Sequence, residues 1–419
     1  MSSRLRLSLY WFVATAALGV YFPYFSLYLR EALSFTGVQI GMAFSVAPLM
    51  GVVAQPLWGV IADRTGSRRQ VLALLCAGTA TGYALLTQPR SFVWLLAALG
   101  FLAFFSTAQV PMAVAVSLAT HERDGRRIPF GQVRVWGTLG FGVTVLGIPA
   151  LLGLVQQAQQ QGERQVFHLV FALAALLAGL AALLALAVPR VPSSAEARSL
   201  PGDQRFLRQQ RPYLRVLCVN FLAYVCLQGP MMLFPVYVRA RGGTTATVSY
   251  MWLCMLSLET LLMIWAAPLY KWLGAKAAIT CGVLACSLRW LLCGLSDDLR
   301  WVYPLQMLHG VMVVSLQVAG PLLVESLVPD RLRASSQAGY NLWGSGLGGI
   351  VSTTLAGVVL DAWGMDTVMV VFGCAGLALS AVVPWLLPAE PVAGGDQGHG
   401  IRGLRATDEA AGPAEATHS

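Results

Sequence analysis

Three ionisable residues, Glu259, Arg289 and His309, lie in consecutive apolar stretches of the chain. Arg289 is the most informative of them, because the apolar run around it, 275–295, is long enough to cross a bilayer as a helix. A charge at that depth costs about 2.5–3.5 kcal/mol on insertion scales, so such a residue normally faces a protein interior or a water-filled cavity and has a partner. The three residue types therefore predict a buried site at which an organic solute and a proton could bind.

Each of these side chains has a role that its chemistry suggests. Arg289 keeps a permanent charge and can bind a carboxylate through two hydrogen bonds, and we expect Glu259 to be its partner. His309 could titrate near neutral pH, and Gln306 shares its helical face. The alternatives are structural: an Arg–Glu pair that only holds two helices together, and a histidine that only donates a hydrogen bond.

Two further polar faces belong to the same hypothesis. Arg134, Thr138 and Phe141 recur at i, i+4 and i+7, which places a cation, a hydroxyl and an aromatic ring on one helix face. Asn220, Tyr224 and Gln228 similarly share a face of a later helix. Arg134 could instead be an interfacial residue that only follows the charge bias of membrane loops.

Composition decides the class of protein. The chain has 419 residues, of which 57% are hydrophobic and only 11% charged. Soluble proteins carry about 25% charged residues, so we predict an all-α polytopic membrane protein. The net charge of +9 does not indicate nucleic-acid binding, because nearly all basic residues fall in loops and tails. A P-loop, an H-E-x-x-H zinc motif and a G-x-S-x-G elbow are absent from the sequence, so we predict no enzyme, no catalytic residue, no metal and no cofactor other than a coupling proton.

Breaks at charged or Pro/Gly-rich clusters predict twelve transmembrane helices. They are 8–29, 38–62, 69–88, 92–118, 131–153, 166–188, 213–238, 246–270, 275–294, 299–326, 336–358 and 366–388. Most Lys and Arg residues fall on the loops of one side, which predicts that both termini are cytoplasmic.

The helices divide into two sets of six. We predict a six-helix bundle over 1–188, a cytoplasmic linker over 189–212, a second bundle over 213–388 and a disordered cytoplasmic tail over 389–419. The pair Trp136-Gly137 recurs as Trp343-Gly344, 207 residues later. Gly66 and Gly274, in corresponding loops, are 208 residues apart, so the chain looks duplicated.

The segment from Gly59 to Arg69 resembles the signature loop between helices 2 and 3 of the major facilitator superfamily. The resemblance identifies a gating loop whose residues are Gly59, Asp63, Arg64, Gly66, Arg68 and Arg69. Further segments, which include 130–137, 287–290 and 305–309, are similar to the branch that holds the 3-phenylpropionate and lactose permeases, among the oligosaccharide and nucleoside proton symporters.

This resemblance implies a secondary active transporter with a fold of two six-helix repeats. It assigns Arg134 to substrate binding and Glu259, Arg289 and His309 to binding and proton coupling. Two departures from lactose permease, Val116 and Met312 at positions where that protein has acidic residues, weaken lactose as a substrate and leave the proton carrier open. We expect proton symport of an aromatic carboxylate, sugar or nucleoside by a monomer in a bacterial inner membrane. Proton-antiport efflux of drugs or metabolites is the alternative, and a non-transporting receptor is the third class.

Overall fold

Twelve long helices make up the computed structural model, which describes residues 2–88, 91–120, 128–159, 163–189 and 207–388. They are α1 (Ser3–Ala32), α2 (Gly37–Thr65), α3 (Arg68–Leu86), α4 (Phe92–Ala119), α5 (Phe130–Gln159), α6 (Glu163–Ala187), α7 (Arg211–Ala240), α8 (Thr245–Ile264), α9 (Ala266–Leu295), α10 (Leu299–Ser326), α11 (Arg333–Asn341, Leu342–Gly348 and Gly349–Trp363) and α12 (Met365–Leu386). Eleven of these are long and apolar enough to cross a membrane; α3 is the exception. The predicted all-α class is confirmed. Most of the predicted linker and the whole predicted tail lie outside the described residues.

The predicted boundary between the eighth and ninth helices is wrong. The eighth helix was expected to continue to residue 270, but α8 ends at Ile264, and Trp265 leaves the helical conformation. A separate helical segment from Ala266 then reaches Gly274, whose φ of 74° breaks α9. Because the sequence stays apolar across Trp265, hydropathy could not locate this change of backbone.

The packing of the helices repeats with a period of six. In the first half the neighbouring pairs are α1 with α5, α1 with α6, α2 with α4, α3 with α4 and α3 with α6. The second half has the same five pairs, from α7 with α11 to α9 with α12. Two seams join the halves, α2 with α11 and α5 with α8, and each is the other's counterpart under the same shift of six. The structure is therefore a two-repeat fold.

Glycines at corresponding positions of the two halves allow the same close helix contacts. A Cβ on Gly140 of α5 would collide with the carbonyl oxygen of Phe12 in α1, and a Cβ on Gly348 of α11 would lie 2.8 Å from that of Phe221 in α7. The loop glycines Gly66 and Gly274 repeat too, with φ of 64° and 74°. Since only glycine adopts positive φ at little cost, both positions favour glycine, although ψ is 8° at Gly66 and 160° at Gly274, so the two turns differ in shape.

The two ends of the bundle differ. A cavity of about 1330 Å³ enters from the side on which α7 and α11 begin, and it ends blindly at Tyr21, Phe22 and Phe25 of α1. This end is called the cavity side. On the opposite, closed side, the halves touch through Glu31 and Arg239, whose charged groups are 2.8 Å apart.

Candidate functional site

Arg289 is fully buried in α9 and is held by neutral groups. Its Nε and Nη2 both donate to Oε1 of Gln306, at 3.0 and 2.5 Å. Nη2 also points at the sulfurs of Met231 and Met255, at 3.7 and 3.6 Å. The guanidinium carbon lies 3.9 Å from the centre of the Trp290 ring, which adds a cation–π interaction. The cluster thus contains a desolvated cation stabilised by dipoles and a ring face.

His309 stands between Arg289 and Glu259. Nη1 of Arg289 lies 3.2 Å from Nδ1 of His309, and Nε2 of the same imidazole lies 3.9 Å from Oε2 of Glu259. A guanidinium can only donate, so Nδ1 accepts and a neutral His309 carries its proton on Nε2, on the side of Glu259. Arg289 thus fixes the tautomer of His309, and the Nε2 proton of the imidazole faces the Glu259 carboxylate.

The predicted direct pair between Arg289 and Glu259 is wrong. Among the described residues, no carboxylate oxygen lies within 4.0 Å of an Arg289 nitrogen. The reason is geometric: α10 inserts His309 between α9 and α8.

Local backbone features of α10 place His309 between α9 and α8. Gly310 approaches α8 so closely that a Cβ there would lie 2.5 Å from the backbone nitrogen of Glu259. The α10 helix also breaks at Met307 and widens to a π-helical turn at Ser315–Ala319. Such turns are frequent at functional sites, and here the irregular backbone flanks His309 on both sides.

The first half presents Arg134 and Phe141 on α5 towards this cluster. The Arg134 guanidinium packs over the Trp11 ring at 4.9 Å, and an electrostatic attraction connects it with Glu259 across the boundary of the halves. The Phe141 ring lies 6.0 Å from that of Trp252 in α8. Thr138, between them on α5, is half-buried. The α5–α8 seam therefore juxtaposes opposite charges at one level and aromatic rings at another.

Two of the predicted residues of α7 lie elsewhere. Asn220 donates from Nδ2 to the carbonyl oxygen of Tyr340 at 2.8 Å, which ties α7 to α11. The Cβ of Tyr224 lies close to Gly348 of α11. Both face the packing between these helices, so the structure does not bring them together with Arg289.

The predicted gating loop is a tight turn on the cavity side. Gly66 ends α2 in the left-handed conformation, and α3 begins two residues later. Arg64 and Asp63 are exposed, as expected, whereas Arg68 is only 7% exposed, and Arg69 donates to the carbonyl oxygen of Val188 at 3.4 Å. A Cβ on Gly59 would meet open space. The roles of these residues stay predictions.

Apart from Gln228, which belongs to the predicted polar face of α7, the cavity wall contains polar groups that the sequence hypothesis does not include. Its polar side chains are neutral apart from Arg208 near its entrance, and aromatic rings lie among them; they include Gln55, Thr107, Gln228, Asn341, Ser345, Phe44 and Trp343. None of the predicted cluster lines this space. Amides and hydroxyls within apolar helices give a weaker signal than a charge does, but their recurrence on α2, α7 and α11 could have been noticed.

Among the residues that the structure places, no three His, Cys, Asp or Glu side chains are grouped as metal ligands would be. The chemistry available to the site is hydrogen bonding, ion pairing, stacking and proton exchange.

Comparison with known proteins agrees with this architecture. The model of the MFS_1 like family matches residues 4–372. The maltose permease of Geobacillus stearothermophilus is 28% identical over 392 residues, which cover 92% of this chain and 95% of that protein. The xanthosine permease of Escherichia coli is 25% identical over 413 residues, 91% of this chain and 95% of that one. A crystal structure of a variant of the nucleoside transporter NupG superposes with a TM-score of 0.82 at 18% identity, and covers 92% of this chain and all of that one.

Proposed function

The chain belongs to the MFS_1 like family of secondary transporters, and from that basis we propose that it imports a small polar solute together with a proton. It is a multi-pass membrane protein and not an enzyme. In this proposal the two halves rock about a site between them, so that the cavity opens to one side of the membrane at a time.

The Glu259 carboxylate beside His309, whose other ring nitrogen accepts from Arg289, is the observation that carries proton coupling. Glu259 can hold a proton, and its carboxylate lies 3.9 Å from Nε2 of His309, so the imidazole senses whether that carboxylate is charged. The Glu259 carboxylate also attracts the Arg134 guanidinium of the other half. The charge of Glu259 therefore affects the attraction across the α5–α8 seam. A proton on Glu259 removes that attraction, and the conformational equilibrium responds because the two states differ in this interaction.

A sugar or nucleoside suits the cavity better than an aromatic carboxylate does. Its lining combines amides, hydroxyls and aromatic rings, which bind hydroxyl groups and stack on rings. Arg289, which could neutralise a carboxylate, is sealed away from it. The relatives named for maltose and xanthosine support the same class.

The distribution of basic residues supports an orientation of the chain in the membrane. By the positive-inside rule, we assign the cavity side and both termini to the cytoplasm. In this proposal the structure is the cytoplasm-open state, in a bacterial plasma membrane.

Transport in proteoliposomes tests the proposal. Purified protein is reconstituted, an inward proton gradient is imposed, and uptake of labelled maltose, xanthosine and 3-phenylpropionate is measured with a pH dye in the lumen. We expect accumulation of maltose or xanthosine with acidification of the lumen. Glu259→Gln should lose accumulation but keep exchange of the same solute. Glu325→Gln is the control and should behave as the wild type, because the Glu325 carboxylate lies near the end of α10 and accepts a hydrogen bond from Gln337 at 3.3 Å.

Accumulation that occurs only when the lumen is the acidic side would identify antiport and refute symport. Uptake that does not respond to the gradient would refute proton coupling altogether.

A further inference from the structure

Trp252 of α8 carries a buried hydrogen-bond donor to which none of the described residues offers an acceptor. Its side chain is 7% exposed, and its Nε1 has no hydrogen-bond partner among the described residues. In the first half, by contrast, Trp11 donates to Oγ of Ser117 at 3.0 Å and Trp58 to the carbonyl oxygen of Phe104 at 2.9 Å. Buried N–H groups are nearly always paired, so an unpaired one requires an explanation.

The ring of Trp252 lies where the two halves meet at the blind end of the cavity. It contacts the edge of Phe22, a cavity-wall residue of α1, at 5.6 Å between centres, and Phe141 of α5 at 6.0 Å. One turn earlier on α8, Oγ of Ser249 lies 2.6 Å from the hydroxyl of Tyr24 in α1. Trp252 therefore packs against a residue of the cavity wall without lining the cavity itself.

The same face of α8 continues to the charged cluster. Met255 and Glu259 follow Trp252 at spacings of three and seven residues, which place Glu259 about 10 Å further along the axis. Met255 contacts the Arg289 guanidinium, and Glu259 approaches His309. A molecule that reached Trp252 would thus lie about two helical turns from the groups expected to exchange the proton.

We propose that Trp252 binds the transported solute: its indole face stacks on a sugar or nucleobase ring, and its Nε1 donates to an oxygen or nitrogen of that solute. Phe22 turns aside to admit the ring. The inference rests on the proposed function, because it adds a specificity-determining residue to the same transport site. It also gives the solute a contact on α8 while Phe141 contacts it from α5, so that binding draws the halves together.

Equilibrium binding to the purified full-length chain tests it, with labelled maltose, xanthosine and 3-phenylpropionate as probes. Trp252→Phe keeps a ring and loses the N–H, and Trp252→Leu loses both. We expect Trp252→Phe to weaken binding about five- to tenfold, the worth of one hydrogen bond, and Trp252→Leu to weaken it further. Trp58→Phe, which removes a donor that is already paired, is the matched control and should leave binding unchanged.

The melting temperature of the unliganded protein separates binding from structure. Because no protein group loses a partner, Trp252→Phe should melt within a few degrees of the wild type, whereas its stabilisation by solute shrinks. Trp58→Phe should melt lower, because the Phe104 carbonyl loses its donor. Wild-type affinity in Trp252→Phe would overturn the inference and leave the transport proposal standing. A wild type that binds none of the three probes would overturn both.

Discussion

Asp361 of α11 completes the N-terminal cap of α2 from the other half of the molecule. The hydroxyl of Thr36 accepts from the backbone nitrogen of Gln39, but it does not reach the first two N–H groups of the helix. Those two donate to Asp361: Gly37 to Oδ1 at 2.6 Å and Val38 to Oδ2 at 2.8 Å. Every early N–H of α2 is thereby paired. The two pairs with Asp361 join the halves, so they require the closed side to be shut.

The size of the effect follows from cap energetics. Losing a capping side chain costs about 0.5–2 kcal/mol, and a charge at a helix terminus contributes about 0.3–1 kcal/mol where solvent screens it. Asp361 is exposed, so we take about 1–2 kcal/mol for Asp361→Ala. Asp361→Asn keeps one acceptor and loses the charge, about 0.3–1 kcal/mol. At 1.4 kcal/mol per tenfold, the closed-to-open ratio on this side should fall about 5- to 30-fold for Ala and about 2- to 5-fold for Asn.

Distances between spin labels on the closed side measure that ratio. Labels at positions 93 and 363, both exposed, report on the first and second halves after the accessible native cysteines are replaced. Asp361→Ala should increase the population of the longer distance more than Asp361→Asn does. Asp366→Ala is the control, because Asp366 binds Arg241 at 2.8 Å within the second half alone. Unchanged distances in Asp361→Ala, or an equal shift in Asp366→Ala, would refute the reasoning.

Three more substitutions have expected outcomes. Arg289→Lys should abolish solute accumulation in proteoliposomes, because an ammonium cannot reproduce the contacts of Nε and both Nη atoms with Gln306 and His309; uptake near the wild-type level would contradict it. Gly66→Ala places a Cβ at φ 64° and should slow transport, with roughly 1–2 kcal/mol of strain and unchanged solute affinity. Gly100→Ala, whose Cβ meets nothing within 4 Å and which lies outside the loop, is the control and should leave transport unchanged. Gly140→Val should prevent α1 from packing on α5 and lower the yield of monodisperse protein in size-exclusion chromatography, and Gly142→Val, whose Cβ meets nothing, should not.

Hydropathy predicted the helices because a lipid-facing helix is apolar along its whole length. Hydropathy could not show where the backbone departs from helical geometry inside an apolar run, as it does at Trp265. The duplicated loop glycines were a better guide. Gly66 and Gly274 were matched by position alone, and both adopt positive φ.

The polar cluster shows a similar limit. An arginine and a histidine in apolar runs predicted that α9 and α10 meet at a polar site, and Gln306 joined it through its helical spacing. Which group contacts which depends on helix rotation and on the close approach allowed by Gly310, and neither is visible in a single sequence. Trp252 escaped notice because an indole in a membrane helix is usually a packing residue or an interface anchor.

The two seams between the halves occupy equivalent places in the repeat but differ in chemistry. The α2–α11 seam is closed by backbone contacts: Gly37 touches Gly357, and the two N–H groups bind Asp361. The α5–α8 seam instead holds aromatic rings that a solute can contact and a carboxylate that a proton can neutralise. A ligand shifts a conformational equilibrium only through interactions that differ between the states. We therefore expect solute and proton to act on the α5–α8 seam, while the α2–α11 seam sets the intrinsic cost of opening the closed side.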